Sequence, residues 1–155
     1  FADMIQRFVY KGISEGFVPG KAILLLGTRR TGKTVLMKQF LSGLNEPYLL
    51  LNGEDFSVQQ LLKQRSAAHY KNMLGNNRAL AIDEAHHIEN IGWIIKLMLD
   101  EIEGLRVLLT GSSSFDIQNK SGEPLTGRKK TFYLFHIFKF NQSMLFGSNY
   151  SFGQL

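Results

Sequence analysis

The 155-residue chain has no cysteine, so disulfides, thiolate metal sites and cysteine nucleophiles are excluded together. A reducing compartment is compatible with that absence. Long hydrophobic runs are also lacking. The longest apolar stretches, such as Ala22–Leu26 and Leu105–Leu109 with its Arg106, are strand-sized, well short of the ~20 residues of a membrane helix. A cytoplasmic location with no membrane partner is therefore expected. The opening Phe1-Ala-Asp-Met-Ile-Gln-Arg7 has no charged-then-apolar signal layout and no initiator Met, which points to a trimmed or excised chain. There is no H-E-x-x-H zinc spacing, no G-x-S-x-G serine elbow and no guanine-reading N-K-x-D. Internal repeats and flexible linkers are absent, so residues 1–155 read as one domain.

Hydrophobic residues make up 44% of the chain and charged residues 20%, a globular balance that argues against disorder. The formal charge of +5 permits phosphate or nucleic-acid partners without establishing either. Short apolar runs alternate with helical stretches, the pattern of an α/β fold with a parallel sheet. Strands are expected at Ala22–Leu26, Tyr48–Leu51, Ala79–Ile82, Leu105–Leu109 and Lys130–Phe140. A helix over Gly32–Leu44 carries Val35, Leu36, Phe40, Leu41 and Leu44 at the spacing of one buried face. Ser57 and Gln60 have the spacing of a capping box, which would open one helix running toward Gly75. A further helix spans about Asn90–Glu103, and Gly104 stops it. Residues 132–155 hold eight of the eighteen aromatics (Phe132, Tyr133, Phe135, Phe138, Phe140, Phe146, Tyr150, Phe152). They fit either a core strand with a packed tail, or a surface for a downstream region or partner subunit.

The segment Gly27-Thr-Arg-Arg-Thr-Gly-Lys-Thr34 fits G-x-x-x-x-G-K-[ST] at every fixed position, between an expected strand and an expected helix. Backbone N–H groups of Gly27, Thr28, Arg29, Arg30, Thr31, Gly32, Lys33, Thr34 and Val35 would ring a phosphate chain at a helix N-terminus. Lys33 would reach the β- and γ-phosphates, and the Thr34 hydroxyl would ligate Mg²⁺. Arg29 and Arg30 either touch phosphate or are simply solvated.

The third strand ends in Asp83-Glu84, a Walker B arrangement. Asp83 would hold the Mg²⁺ shell, and Glu84 would polarise the attacking water. His86 and His87 complete the letters Asp-Glu-Ala-His of one helicase box, yet the chain is too short for a second helicase core. They read as surface or supporting histidines rather than metal ligands. Arg128-Lys129-Lys130 reads as a solvated strand entrance, as a nucleic-acid contact, or, for Arg128, as a charge-stabilising arginine in its own or a neighbouring subunit.

These motifs, with Leu108-Leu-Thr-Gly-Ser-Ser-Ser114 and Leu125-Thr-Gly-Arg128, resemble the AAA+-related predicted ATPases of bacteria and archaea. The resemblance implies a P-loop NTPase three-layer sandwich with a five-stranded parallel sheet in the order 5-1-4-3-2. In that order the fourth strand lies between the two motif strands, where Thr110, Ser112 or Ser113, Ser112 foremost, would either sense the γ-phosphate or attacking water or merely cap the next turn. The resemblance further implies ATP and Mg²⁺ as ligands, and a downstream region of the same protein or further copies of the chain as partners. The family's proline and glutamate after the fifth strand are missing from His136-Ile-Phe-Lys-Phe-Asn-Gln-Ser143. The expected function is ATP hydrolysis with an unassigned output. The alternatives are a nucleotide-gated switch that hardly hydrolyses, or a nucleic-acid-dependent motor fragment.

Overall fold

The computed structural model describes residues 2–115 and 123–135. The elements run α1 (Ala2–Gly16), β1 (Ala22–Gly27), α2 (Lys33–Ser42), β2 (Leu49–Asn52), α3 (Phe56–Leu62), α4 (Ala67–Leu74), β3 (Ala79–Asp83), a 3₁₀ turn (Ala85–His87), α5 (Ile91–Glu101), β4 (Arg106–Gly111) and β5 (Lys129–Leu134). All five strands are parallel, in the order β2-β3-β4-β1-β5. This is the expected order, read from the other edge. Because β4 pairs with both β1 and β3, the ends of the two motif strands are separated by one strand.

Every residue of β1 is buried, as a central strand covered on both faces requires. Alternation along the strands sends side chains to two cores. Ile23, Leu25, Leu108 and Phe132 pack with Val9, Ile13, Met37 and Phe40 of α1 and α2. Leu24, Leu26, Ile82 and Leu109 pack with Leu62, Tyr70, Ile95 and Met98 of α3, α4 and α5. The result is the expected α/β/α three-layer sandwich. Among the described residues no helix is long and apolar enough to cross a membrane.

Four expectations need correction. Helix α1 was not anticipated, although Val9, Ile13 and Phe17 bury one face at four-residue spacing. Val35 does not share the buried face of α2 but is exposed. The single helix expected from Ser57 to Gly75 is two, and Ser57 does not cap the first. Asp55 is the cap, accepting from the Ser57 backbone N–H at 2.8 Å and from its hydroxyl at 2.6 Å. These bonds hold the Asp55 carboxyl below its ordinary range. The chain then breaks at Arg65, whose φ of 40° ends the helical path, and Ser66 caps α4. The fourth concerns β5, which begins one residue early and closes at Leu134, shorter than expected. Phe132 there is fully buried, while Tyr133 and Phe135 are partly exposed. The expected strand end Phe138–Phe140 and the aromatics Phe146, Tyr150 and Phe152 lie outside the described residues.

The break between α3 and α4 is held by buried Tyr70, whose hydroxyl donates to the Leu62 carbonyl at 2.6 Å and accepts from the Arg65 N–H at 3.1 Å. Burial also raises its pKa above the ordinary phenol value. Tyr70→Phe should leave both backbone groups without that partner and cost about 1–3 kcal/mol. Equilibrium urea unfolding checks this; an unchanged midpoint would count against the role given to the hydroxyl.

Candidate functional site

β1 ends at Gly27, where the loop leaves the sheet against β5. A Cβ at Gly27 would lie 2.5 Å from the Leu134 carbonyl oxygen, so a larger residue would push the edge strand away. Two left-handed residues, Arg30 (φ 62°) and Gly32 (φ 87°), then curl the loop 28–32 around a hollow before α2 begins. Such a curl turns successive N–H groups inward. The first-turn N–H groups of α2 have no intrahelical acceptor and point the same way.

Lys33 is the first residue of α2 and is 94% buried, an uncommon state for a lysine. Its Nζ donates to the carbonyls of Gly27 and Thr28, both at 2.8 Å. Burial holds its pKa below the ordinary lysine value, and the nearby carboxylates of Glu84 and Asp83 partly offset that. The loop is further braced by the Thr31 hydroxyl, which donates to the Thr28 carbonyl at 2.9 Å.

Thr34 follows, and its hydroxyl reaches Asp83 at the end of β3, with Oγ1 lying 2.9 Å from Oδ2 and 3.1 Å from Oδ1. Asp83 also accepts from Thr110, a fully buried hydroxyl on β4. The same Thr110 oxygen accepts the Glu84 backbone N–H at 2.8 Å. One hydroxyl therefore fixes both acidic positions. Glu84 is left-handed (φ 50°), which ends the strand and turns the chain into Ala85–His87. The two acids can then act on one cleft, although adjacent strand residues would face opposite ways.

Of the candidate hydroxyls Thr110, Ser112 and Ser113, it is Thr110 that meets Asp83. The Ser112 hydroxyl pairs with the Ser114 hydroxyl at 3.0 Å, while its backbone N–H donates to His86 Nδ1 at 3.2 Å. Ser112 lies one residue past the last strand residue, Gly111, and so lies beyond the sheet edge where Thr110 points into the site.

A cleft of about 450 Å³ joins residues 29–35 to Asn52 at the end of β2, to Glu54 just beyond it, and to Asp83 and Glu84. This is within the size range of small-ligand sites. Arg29, Arg30 and Val35 all line it, whereas Gly27 and Thr28 contribute through the carbonyls that hold Lys33. Asn52 and Glu54 were not singled out from the sequence. The only signal was the strand end Asn52-Gly53, which the sheet places beside Asp83.

The donor set at Thr34 and Asp83, a hydroxyl and a carboxylate already in contact, is hard oxygen chemistry and fits a magnesium ion that keeps waters or phosphates as its other ligands. A second cluster, Glu84, His86 and His87, brings one ligand atom from each within 4.8 Å. It fits a metal poorly. His86 Nδ1 accepts the Ser112 N–H, so Nε2 carries the proton, and it is Nε2 that faces Glu84.

Arg128 is not brought to this cleft. It precedes β5, and its carbonyl accepts from the N–H of Ala22 at the start of β1. The loop leaves β1 five residues later, about 17 Å away along the strand. Arg128 there ion-pairs with Asp100, and together with Lys96 it keeps the Asp100 carboxyl below its ordinary range. Lys129 pairs with Glu123, and Lys130 lies over the Phe132 ring. The basic cluster is thus tied into the fold at the opposite end of the sheet.

Residues 19–144 match a family model described as an AAA domain. The chain is also similar in fold to the crystal structure of the DnaC helicase loader. That match has a TM-score of 0.56 and 16% identity, and covers 81% of this chain and 86% of that one. At such identity the likeness concerns the fold alone. No curated protein matches the chain in sequence.

The two hydroxyls separate cleanly by substitution. Thr110→Val should strand the part-buried Glu84 N–H and cost about 1–3 kcal/mol in a thermal melt. Ser112→Ala removes only a contact with an exposed neighbour and should change stability by no more than about 0.5 kcal/mol. Equal losses would contradict the assignment of Thr110.

Proposed function

The chain belongs to the AAA domain family, and from that premise we propose that it binds ATP with Mg²⁺ in this cleft and hydrolyses it to ADP and phosphate. One observation carries the reading: the Thr34 hydroxyl lies 2.9 Å from the Asp83 carboxylate, beside a buried lysine at a helix N-terminus. That lysine is held by two loop carbonyls near two carboxylates, a cation poised where a polyphosphate can accept its hydrogen bonds.

In this reading the N–H groups of 28–35 cradle the phosphates and Lys33 swings its ammonium from the loop carbonyls to the β- and γ-oxygens. Thr34 and Asp83 hold the metal, and when bound it neutralises phosphate charge. Thr110 keeps Asp83 in place. Glu84 orients a water and accepts its proton as the water oxygen attacks the γ-phosphorus. The bond from that phosphorus to the β-phosphate oxygen breaks, and ADP leaves. Arg128 supplies no charge here from its own subunit. That role falls to Arg29 or Arg30, or to a second copy of the chain, so turnover by the lone chain is slow. Choice of ATP over GTP follows the family resemblance and the lack of an N-K-x-D sequence. The nucleic-acid motor reading loses its main feature, since Arg128 and Lys129 are engaged in ion pairs.

Two measurements test this. Mg·ATP at a hundredfold excess over Kd should add about 2.7 kcal/mol of stability, a melting shift of about 5–11 °C for this size. The shift should vanish in Lys33→Ala. Glu84→Gln should keep the shift while phosphate release falls by about a hundredfold or more. A chain that binds ATP with no Glu84-dependent release would instead be a nucleotide-gated switch.

A further inference from the structure

His86 does no work in the scheme above, yet it occupies a defined place beside the residue that matters most to it. The left-handed turn at Glu84 folds the 3₁₀ turn back so that the His86 ring lies between two partners. On one side Nδ1 accepts the backbone N–H of Ser112, just beyond β4, at 3.2 Å. On the other side Nε2 lies 3.4 Å from Glu84 Oε2. Both side chains are mostly shielded, with 19% of His86 and 27% of Glu84 exposed. The ring also borders Gly111, where a Cβ would stand 3.5 Å from Nδ1, an ordinary contact.

The chemistry follows from the backbone partner. An amide N–H is only a donor, so Nδ1 must be the bare nitrogen and Nε2 must bear the hydrogen. Nε2, the nitrogen that bears it, is the one 3.4 Å from Glu84 Oε2. Burial and the adjacent His87, whose ring centroid is 4.2 Å away, keep the ring below its usual pKa, with Lys33 acting the same way and Glu84 and Glu54 opposing. That favours the neutral ring. A neutral ring at that distance can steer the carboxylate through its N–H without neutralising the charge the reaction needs. His87 does not share the task, as its Nε2 faces Glu54 at 3.5 Å.

We propose that His86 is a positioning residue: with its tautomer set by the Ser112 N–H, it holds the Glu84 carboxylate through Nε2–H and ties it to the turn that ends β4. This deepens the hydrolytic reading and rests on it. A shift of the Ser112–Ser114 turn would be passed through one rigid ring to the group that orients water, so a ligand or partner acting on that turn gains control of turnover without touching the phosphate loop.

Two variants separate the two ring nitrogens. In His86→Gln the amide nitrogen reaches the position of Nε2 and can still donate to Glu84. In His86→Asn the amide oxygen can still accept the Ser112 N–H, but nothing reaches Glu84. The expected result is that His86→Asn loses about tenfold or more in kcat, with KM for ATP and the melting temperature unchanged. His86→Gln should stay within about threefold of the native chain. Equal loss in both variants, or no loss in His86→Asn, would overturn the proposal. Glu84→Gln in the same assay separates the layers, because hydrolysis that ignores Glu84 sinks the functional reading instead. Ring ¹⁵N spectra of the native chain give a readout that needs no turnover. They should show His86 protonated at Nε2 and bare at Nδ1, with the Nε2 signal moving in Glu84→Gln. A proton on Nδ1, or an Nε2 signal indifferent to Glu84, would refute the link whatever the activity.

Discussion

The hydrogen bonds from Thr34 and Thr110 to Asp83 are the constraint on which the site depends. Thr34 belongs to the helix that follows β1, and Asp83 ends β3, with β4 between them. Neighbouring strands stand about 4.8 Å apart, so the two strand axes are about 10 Å apart. The first turn of α2 must lean over β4 for Thr34 to touch Asp83. Thr110 fills the space beneath, bonding the same carboxylate and the next backbone N–H. Remove the middle strand and the hydroxyl, the carboxylate and the lysine would still exist, with nothing to hold them at bonding distance.

Electrostatics impose the second condition. Lys33 is nearly buried and its charge costs solvation. Two loop carbonyls and two nearby carboxylates compensate, and together they keep a cation poised at a helix N-terminus. This arrangement needs a rigid floor. The two apolar cores provide it, one on each face of β1, so that the loop is the compliant part and the strand ends are not.

Much of this was legible in the chain. The run Ala22–Leu26 has no polar residue, and only a strand covered on both sides tolerates that. The spacing from Gly27 to Thr34 encodes its own loop because each element is local: a turn, a glycine, a lysine and a helix start. The acids announced themselves by ending an apolar strand. The places where reading failed share a cause. Ser57 looked like a cap, but Asp55, two residues earlier, is the stronger acceptor. The break at Arg65 depends on Tyr70 reaching back across eight residues to the Leu62 carbonyl, a contact that no periodicity displays. Ser112 and Thr110 are both hydroxyls at a strand end, and only the pairing of β4 with β3 tells which of them meets Asp83.

Arg128 marks the same boundary at a larger scale. Its glycine-arginine context suggested a charge near a nucleotide, yet the parallel register of β5 with β1 sets it beside Ala22, at the far end of the strand from the loop. His86 is the converse case, a residue read as a surface or supporting histidine that the left-handed Glu84 turns back between Ser112 and the Glu84 carboxylate. By itself the sequence determined the loop, the acids, the layer type and, through family resemblance, the strand order, since local spacing and hydrophobic alternation suffice for the first three. Tertiary structure alone decided which hydroxyl, which histidine nitrogen and which arginine stand at the cleft. Those choices are set by register and side-chain distance between strands remote in the chain, and neither quantity is written in any single segment.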